Sequence, residues 1–310
     1  MTRRVALLVA LLLTVSCGTV TAPAPVPSAT GSARASAGAF PVSITDFQNR
    51  SVAISKRPER IVSIGPSNTE FLFALGVGDR VVGTDDFSDE PAAAKTKEHV
   101  GGVKVSLEKV VSLKPDLIIT VKFSDGTIEA LSQTSAAVLV VDPQNAGDVA
   151  RTATLLGQAV GANGAKLAAD IQAQLDAVKA KTANAPKPKV FHEIDASDLT
   201  KMYTVGPGSF IDDLIKLAGG TNIASAAKTQ YPTISAEEVV RADPDVVVLA
   251  DAAYGTTLEQ VIARPGWSAL AAVKNKRVYP VSGSLYGRPG PRLGQAAEEY
   301  AKLVHPELFK

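Results

Sequence analysis

Aromatic side chains follow the ends of short Val, Ile and Leu runs at several places along this chain of 310 residues. Five lie at such ends or in the adjoining loops, and a sixth precedes a repeated segment: Phe87, Phe123, Tyr203, Tyr254, Tyr286 and Tyr231. In open α/β sheets, ligands bind beyond the carboxyl ends of the strands. Aromatic faces suit a large, flat and partly apolar ligand. We therefore predict that these six side chains line a ligand site, with Arg288 in the last loop placed to meet a carboxylate or phosphate.

The other residues that could do chemistry occur in patterns that favour structural roles. His192 lies on the alternating run VFHEI, where a hydrogen-bonded strand histidine is expected and a ligand contact remains open. His99 precedes two glycines and leaves the same alternative open. Trp267 is expected to pack in the core, and Arg292 to begin the last helix. Three scattered histidines and a single cysteine do not supply the usual ligand set of a zinc site.

One segment of the chain occurs twice. SLEKVVSLKPDLII (106–119) and SAEEVVRADPDVVV (235–248) share Ser, Glu, Val, Val, Pro and Asp in register. Each copy places Ser at a helix start, Glu in the first turn and Pro-Asp before a strand. A local explanation suffices for part of this, because Ser caps helices and an early Glu complements the helix dipole. Two similar lobes explain the recurrence itself, and two lobes leave a cleft of the kind in which small ligands bind.

The elements that must position these residues alternate between strands and helices. Residues 41–55 predict a hairpin, and IVSI, VVGT, LIIT, VLVV, VFHEI, VVVL and VYPV predict strands with helices between them. Continuous apolar strands favour parallel sheets that are covered on both faces. Residues 163–182 predict the longest helix. The fold class is therefore α/β, with two Rossmann-like lobes, a ligand cleft between them and one long rigid helix joining them.

Two of these helices carry finer predictions. PSNTEFLFALG is expected to be capped at Ser67 or Asn68. The helix that Ser106 caps is expected to bury an apolar face, formed by Leu107, Val110, Val111 and Leu113.

The start of the chain predicts export. Two arginines, an apolar run at 5–15 and small residues before Cys17 have the layout of a signal peptide. The run is shorter than the roughly 20 residues that span a bilayer. Cys17 resembles the acylated cysteine of bacterial lipoproteins, although Thr14 stands where leucine is usual, and simple secretion is the alternative. Residues 18–39 are rich in Ala, Pro, Ser and Thr and predict a flexible tether. We predict a cell-envelope protein, lipid-anchored on the extracytoplasmic side of a membrane.

Charge and motifs favour other function classes less. Removal of the leader changes the formal net charge from +1 to −1, which gives no reason to expect a nucleic-acid partner. GVGDRVVG has Val81 where a dinucleotide loop needs its third glycine, and it precedes a strand instead of following one. GPGSF lacks the second glycine of a nucleophile elbow. We predict no catalytic residue, cofactor or bound free metal, and we weigh an enzyme, a free-metal receptor and a structural surface protein as the alternatives.

Residues 40–310 resemble the substrate-binding proteins of ABC importers for cobalamin, haem and iron-siderophore complexes, whose lobes are joined by one rigid helix. The similarity is carried by RIVSIGPSNTEFLFALG, DDFSDEP, SLEKVVSLKPDLIIT, SFIDDLIKLAGGTNI, ISAEEVVRADPDVVVL and GPRLGQAAEEYAKLVHPELF. Cobalamin-binding members are the most similar. The resemblance implies a metal chelate as ligand: a corrinoid first, a ferric siderophore as runner-up and haem third. Tyr and Phe stand where cobalamin-binding members tend to have tryptophan.

The resemblance also gives a role to the doubled glutamate. In this family one acidic residue on each lobe meets arginines of the two permease subunits, and Glu108 and Glu237 hold the matching positions, with Glu238 as an alternative. The predicted organisation is a signal peptide at 1–16, lipidated Cys17 with a tether to 39, a lobe at 40–162, a connecting helix at 163–184 and a second lobe at 185–310.

Overall fold

A computed structural model of the chain describes residues 40–281 and 283–310. The predicted signal peptide, the lipidated Cys17 and the tether all lie outside the described residues. None of the helices within these two ranges combines the length and the apolar character that crossing a membrane requires.

The strands and helices follow the predicted alternation. The strands are Val42–Thr45 (β1), Ser51–Ile54 (β2), Ile61–Ile64 (β3), Val81–Thr84 (β4), Glu98–His99 (β5), Leu117–Thr120 (β6), Ala137–Val140 (β7), Lys189–Asp195 (β8), Met202–Thr204 (β9), Thr221–Asn222 (β10), Thr233–Ile234 (β11), Val246–Leu249 (β12) and Val278–Pro280 (β13). The helices are Pro66–Ala74 (α1), Leu107–Ser112 (α2), Thr127–Leu131 (α3), Ala146–Val160 (α4), Gly164–Thr182 (α5), Phe210–Leu217 (α6), Ala236–Ala242 (α7), Leu258–Ile262 (α8), Ala271–Lys274 (α9), Gly283–Tyr286 (α10) and Leu293–Val304 (α11).

The first lobe is built on a five-stranded sheet in the order β5-β4-β3-β6-β7. Every neighbouring pair in this sheet is parallel, with Ile61 opposite Leu117 at the start of β3 and β6. All residues of β3 and β6 are buried, as expected for strands covered on both faces. The predicted hairpin is confirmed as the antiparallel pair β1-β2.

The second lobe has a sheet in the order β11-β9-β8-β12-β13, with β10 beside the start of β8. The pairs β8-β12 and β12-β13 are parallel, as predicted. The pairs β8-β9 and β9-β11 are antiparallel, so the expectation of purely parallel sheets is wrong at this edge. Two- and three-residue edge strands carry too little periodicity to be recognised in a sequence.

The long helix α5 links the two lobes. Asn163 caps its N-terminus by accepting a hydrogen bond from the Lys166 backbone N–H, and its 19 residues span about 28 Å. Ile171, Leu175 and Val178 are buried at helical spacing. The helix contacts α4 of the first lobe and α6 and α11 of the second lobe. One continuous core cluster runs through this junction. The exact lobe boundaries given above remain predictions.

The repeated segments occupy equivalent places. The first copy forms α2 and β6, and β6 lies next to β3, the first strand of its sheet in the chain. The second copy forms α7 and β12, and β12 lies next to β8, the first strand of the second lobe. The two lobes therefore present the same helix-strand unit in the same topological position.

Two finer predictions are wrong. Helix α1 begins at Pro66, and its N-cap is Gly65 at φ 115°, a conformation that glycine adopts without strain. On α2, Ser106 is the cap as predicted, but Leu107 and Val111 are exposed and only Val110 is fully buried. Val110 lies in one core cluster with Val62 and Ile118 of the central strands, and Leu113 is partly buried against the same cluster.

Candidate functional site

A cleft of about 680 Å³ lies between the lobes, within the size range of small-ligand sites. It is found beyond the carboxyl ends of β3, β4, β8, β12 and β13, where the sheet topology predicts a ligand. The first lobe contributes Pro66, Ser67, Phe87 and Asp89. The second lobe contributes His192, Ile194, Phe210, Ile211, Tyr231, Ala250, Ala253, Tyr254, Ser284, Gly287 and Arg288.

Four of the seven predicted ligand-binding residues line this cleft. Phe87 is held in the loop after β4, where its N–H donates to Asp85 Oδ1 at 2.8 Å. Tyr254 ends a 3₁₀ turn after β12, and Tyr231 precedes β11. Phe87 is 52 % exposed and Tyr254 is 89 % exposed. Large aromatic faces exposed in a concave site are available to stack on a ligand.

The other three predicted residues lie elsewhere. Phe123 packs against the core cluster between the first sheet and α2. Tyr203 is exposed on β9, opposite Thr233 of β11. Tyr286 is buried with its ring edge-on to Tyr300, and burial raises its pKa to about 12. For these three side chains ligand contact stays a prediction, since they are not among the residues that line the cleft.

His192 lies at the floor of the cleft and is fully buried. Its Nδ1 lies 3.0 Å from the hydroxyl of Tyr300 on α11. Its Nε2 has no hydrogen-bond partner among the described residues. Burial lowers its pKa to about 3, so the ring is neutral at neutral pH. The alternation of VFHEI indicated a strand histidine correctly, but it did not reveal that this buried residue lies at the lining of the cleft.

A cluster of charged side chains ties the lobes together beside the cleft. Glu70 on α1 is buried, and both of its oxygens accept hydrogen bonds from Arg292 at 2.8 Å. Arg288 contacts the same carboxylate at 3.2 Å and pairs with Asp89 at 2.6 Å. Arg288 also donates to the backbone carbonyl of Phe87 at 3.1 Å. Among the described residues that line the cleft, Arg288 is the one guanidinium, and two carboxylates already engage it.

Arg292 also has the structural role that the sequence predicted. It is the N-cap residue of α11, as predicted, and its side chain reaches the first lobe. Nothing in the local pattern pointed to Glu70, which lies 222 positions away along the chain.

A second pocket of about 460 Å³ opens beside the cleft and shares Ile194 and Tyr254 with it. We call it the acidic side pocket. Its remaining lining residues are Asp195, Ala196, Ser197, Asp251 and Thr256. They follow the carboxyl ends of β8 and β12, and Asp251 and Tyr254 are three residues apart in a 3₁₀ turn, which places them on the same side of the turn.

A buried ion pair lies next to the acidic side pocket. Glu193 is bound through both oxygens by Arg264, whose guanidinium also lies over the Trp267 ring at 4.6 Å. Burial raises the pKa of Glu193 to about 7, against the opposing effect of Arg264, and the charge of Asp251 raises it further. Trp267 is fully buried in the second lobe, as expected.

The two predicted docking glutamates are exposed on matching helices. Glu108 lies in the first turn of α2 and Glu237 in the first turn of α7, and neither forms an ion pair with another described residue. Glu238 is held differently, because its Oε2 accepts hydrogen bonds from the backbone N–H and the hydroxyl of Ser235, both at 2.8 Å. This capping box leaves Glu237 as the free acidic group of the second copy.

In the part of the chain that the structure describes, no three His, Cys, Asp or Glu side chains lie close enough together to hold a metal ion. His99 lies outside the cleft, with Nδ1 3.3 Å from Asp86 Oδ1.

The comparison with known families agrees with this geometry. Residues 61–283 match the periplasmic binding protein family, so the chain belongs to that family. The match spans both sheets and the helix between them.

Individual proteins give the relationship more detail. The chain is 36 % identical over 315 residues to an uncharacterized ABC transporter substrate-binding lipoprotein of Bacillus subtilis, covering 98 % of this chain and 97 % of that protein. It is 32 % identical over 311 residues to a cobalamin-binding protein of Halobacterium salinarum, covering 93 % and 81 % respectively. The structure of the periplasmic heme-binding protein RhuT from Roseiflexus has a TM-score of 0.69 and 25 % identity, covering 81 % of this chain and 99 % of that one.

These findings define the class. The chain is the substrate-binding component of an ABC importer, and it is a transport protein and not an enzyme. Substrate-binding proteins of such importers act outside the cytoplasm.

Proposed function

We propose that this protein captures a corrinoid, cobalamin or a close relative, outside the cytoplasm and delivers it to an ABC permease. The observation that carries the proposal is the cleft between the lobes, with aromatic side chains exposed on both walls. A relative at 32 % identity whose name is cobalamin-binding protein supports the same ligand.

The cleft suits a broad ring in several respects. Phe87 on one wall and Tyr231 and Tyr254 on the other offer aromatic faces, which bury a large area at low conformational cost. Ile194, Phe210 and Ile211 make the floor apolar. His192 is neutral and fully buried, so it adds no charge beneath the cleft.

Haem is the second candidate because a heme-binding protein shares the fold over most of both chains. Haem is also flat and would use the same aromatic walls. It differs from cobalamin in its rim, which carries two propionates in place of carboxamides. A ferric siderophore, the runner-up from the sequence, completes the set to be compared.

Ligand binding tests the proposal directly. Intrinsic tyrosine and tryptophan fluorescence should be titrated with cyanocobalamin, hemin and a panel of ferric siderophores, and each saturable response confirmed by calorimetry. We expect saturation at one corrinoid per chain, because the cleft volume accommodates one ring system. Saturation with hemin or a siderophore and not with cyanocobalamin would mean that the ligand is that compound and not a corrinoid. No saturable response to any of them would contradict the chelate proposal as a whole.

The proposal includes a permease and an anchor. Glu108 and Glu237 would meet basic residues of the two permease subunits, since both are exposed, lack an ion-pair partner among the described residues and stand on repeated units. Cys17 would carry lipid, which agrees with the name of the Bacillus subtilis relative. Two acyl chains hold a protein stably at a membrane surface.

A further inference from the structure

The end of the molecule opposite the cleft is formed by the segments that lead into the parallel strands. Strands β3, β4 and β6 of the first lobe are parallel to one another, as are β8, β12 and β13 of the second lobe. Because the cleft lies beyond their carboxyl ends, their amino ends lie on the far side. We call the surface there the basal face; its segments are 55–60, 76–80, 113–116, 184–189, 243–245 and 274–277.

The basal face is rich in lysine and arginine. Eight exposed side chains in these segments are basic and three are acidic, so the face carries a net positive charge. The exposed basic residues are Lys56, Arg57, Arg60, Lys114, Lys187, Lys189, Lys274 and Lys276. None of the six lysines forms an ion pair within the described part of the chain.

Two carboxylates at this end bind backbone and not lysine. Asp116 accepts hydrogen bonds from the N–H groups of Glu59 and Arg60, both at 3.0 Å. Asp245 accepts one from the N–H group of Lys189 at 2.7 Å. These carboxylates hold the chain at the starts of the strands and leave the lysine ammonium groups without a carboxylate partner.

The opposite end of the molecule is acidic. The loops that follow the same strands at 85–91, 121–126, 196–201, 250–257 and 287–290 contain seven acidic and three basic residues. Glu108 and Glu237 begin their helices at this end. The protein therefore carries charge of opposite sign at its two ends, although its net charge is close to zero. A negatively charged surface attracts the basal face and repels the end that bears the cleft.

The chain enters the described fold at the basal end. Helix α4 starts at the carboxyl end of β7, so Gly161 at its far end lies on the basal side. Arg80, which directly precedes β4, binds the carbonyl of Val160 at 2.8 Å and so confirms this position. The ring of Phe40, the first described residue, packs against Gly161. The segment that carries Cys17, the predicted lipid attachment, therefore joins the fold at the basal end.

We propose that the basal face lies on an anionic phospholipid bilayer, with the cleft open away from the membrane. Lysines close to such a surface are attracted to it over about a Debye length, and an anchor that enters at the same end brings them within that distance. Ligand capture and permease docking then take place in two different orientations of the anchored protein. The inference goes beyond the proposed function, since it depends neither on the ligand nor on the contacts with the permease.

Energy transfer to lipid measures the orientation. A donor dye is attached to N275C on the basal face or to S124C in the loop after β6, both exposed positions of the full chain, and the vesicles contain an acceptor lipid. With vesicles of phosphatidylglycerol and phosphatidylcholine, the donor at 275 is expected to transfer energy at least about twofold more efficiently than the donor at 124. The difference should disappear with phosphatidylcholine alone, and in about 1 M salt, which shortens the Debye length to about 3 Å. Wild type treated with the same dye gives the background from Cys17, the only cysteine of the chain.

Charge variants locate the effect. K187Q/K274Q/K276Q on the basal face should lose at least about half of the difference between the two donors. K104Q/K122Q/K201Q removes the same charge from exposed positions in loops at the cleft end and should keep the wild-type difference. An unchanged difference in a basal variant that unfolds thermally like wild type would overturn the inference.

Two further results would also overturn it. One is equal transfer from both donors, or no transfer from either, with the anionic vesicles. The other is a difference of the same size with neutral vesicles, because the orientation would then not depend on charge. Failure of the proposed function is recorded separately: transfer to neutral vesicles reports the lipid anchor, and the cyanocobalamin titration reports the ligand.

Discussion

Two adjacent residues of β8 respond to pH in opposite directions. Burial lowers the pKa of His192 to about 3 from 6.5, so between these values the unfolded chain binds a proton that the folded protein does not. The stability that depends on neutral His192 is fully present above pH 6.5 and falls as the pH drops toward 3. Its slope is at most about 1.4 kcal/mol per pH unit.

Glu193 has the opposite sign. Its pKa is raised to about 7 from 4.5, chiefly by burial, so the folded protein holds a proton that the unfolded chain has released. This contribution is fully present below pH 4.5 and is lost as the pH rises through 7. In the wild-type protein, the contributions of these two residues to the pH dependence of the free energy of unfolding partly cancel.

Replacement of His192 separates them. We expect H192Q to lack the loss of stability that His192 causes at low pH. The free energy of unfolding of wild type minus that of H192Q should therefore fall by about 2 kcal/mol as the pH is lowered from 7 to 5. Urea unfolding at a series of pH values measures this difference, and any change in packing adds a constant that does not depend on pH. A difference that stays flat over this range would show that His192 titrates normally in the folded protein.

At the residue scale, the strand-end signal predicted only part of the cleft lining, since Phe123, Tyr203 and Tyr286 carry the same signal and are not among the lining residues. Phe87, Tyr254 and Arg288 were found because they follow apolar strands or lie in the last loop. Asp251 also follows such a strand, directly after VVVLA, and this signal could have revealed it. Glu70 could not be found in this way, because its partners are distant in the sequence and meet it only across the two lobes.

At the scale of elements, α2 shows how little of a short helix needs to be buried. Val110 is fully buried beneath it, whereas the adjacent Val111 is 52 % exposed. The same substitution at both positions therefore provides a matched pair on one helix.

We expect V110A to lower the free energy of unfolding by about 2 kcal/mol, because it leaves a cavity in a packed core. V111A should change it by less than about 0.5 kcal/mol, as is usual for surface positions. Chemical denaturation of both variants measures the contrast. Equal losses would mean that α2 is covered on its outer face as well.

Long or strongly periodic elements were predicted well from the sequence. The apolar spacing of Ile171, Leu175 and Val178 fixed α5, and continuous Val and Ile runs fixed the central strands. The start of α1 was missed because it depends on the backbone angle of Gly65, which no side-chain pattern reveals. The antiparallel strands β9 and β11 depend on pairing between segments about 30 residues apart, and local propensity does not determine such pairing.

At the scale of the whole molecule, the repeated glutamates Glu108 and Glu237 predict how the protein contacts its permease. E108A and E237A should leave cyanocobalamin affinity unchanged, because both residues lie outside the cleft lining. Each should weaken binding to the cognate permease about tenfold, since charge pairs at an interface set register and encounter rate. The measurement is the protein concentration that half-maximally stimulates the ATPase of the reconstituted permease.

Two other exposed glutamates serve as controls. E129A on α3 and E259A on α8 remove the same charge from one helix of each lobe. They should behave as wild type in both assays. Loss of cyanocobalamin affinity in E108A or E237A would contradict the docking assignment.

Glu70, Arg288 and Arg292 give the cleft a kinetic property. These side chains form ion pairs between the two walls beside the cleft. The distance between the walls is therefore set by the polypeptide that joins the lobes and by these ion pairs. We therefore expect the ligand to bind in a single step, without a hinge movement. The observed binding rate should then rise in proportion to ligand concentration and show no plateau.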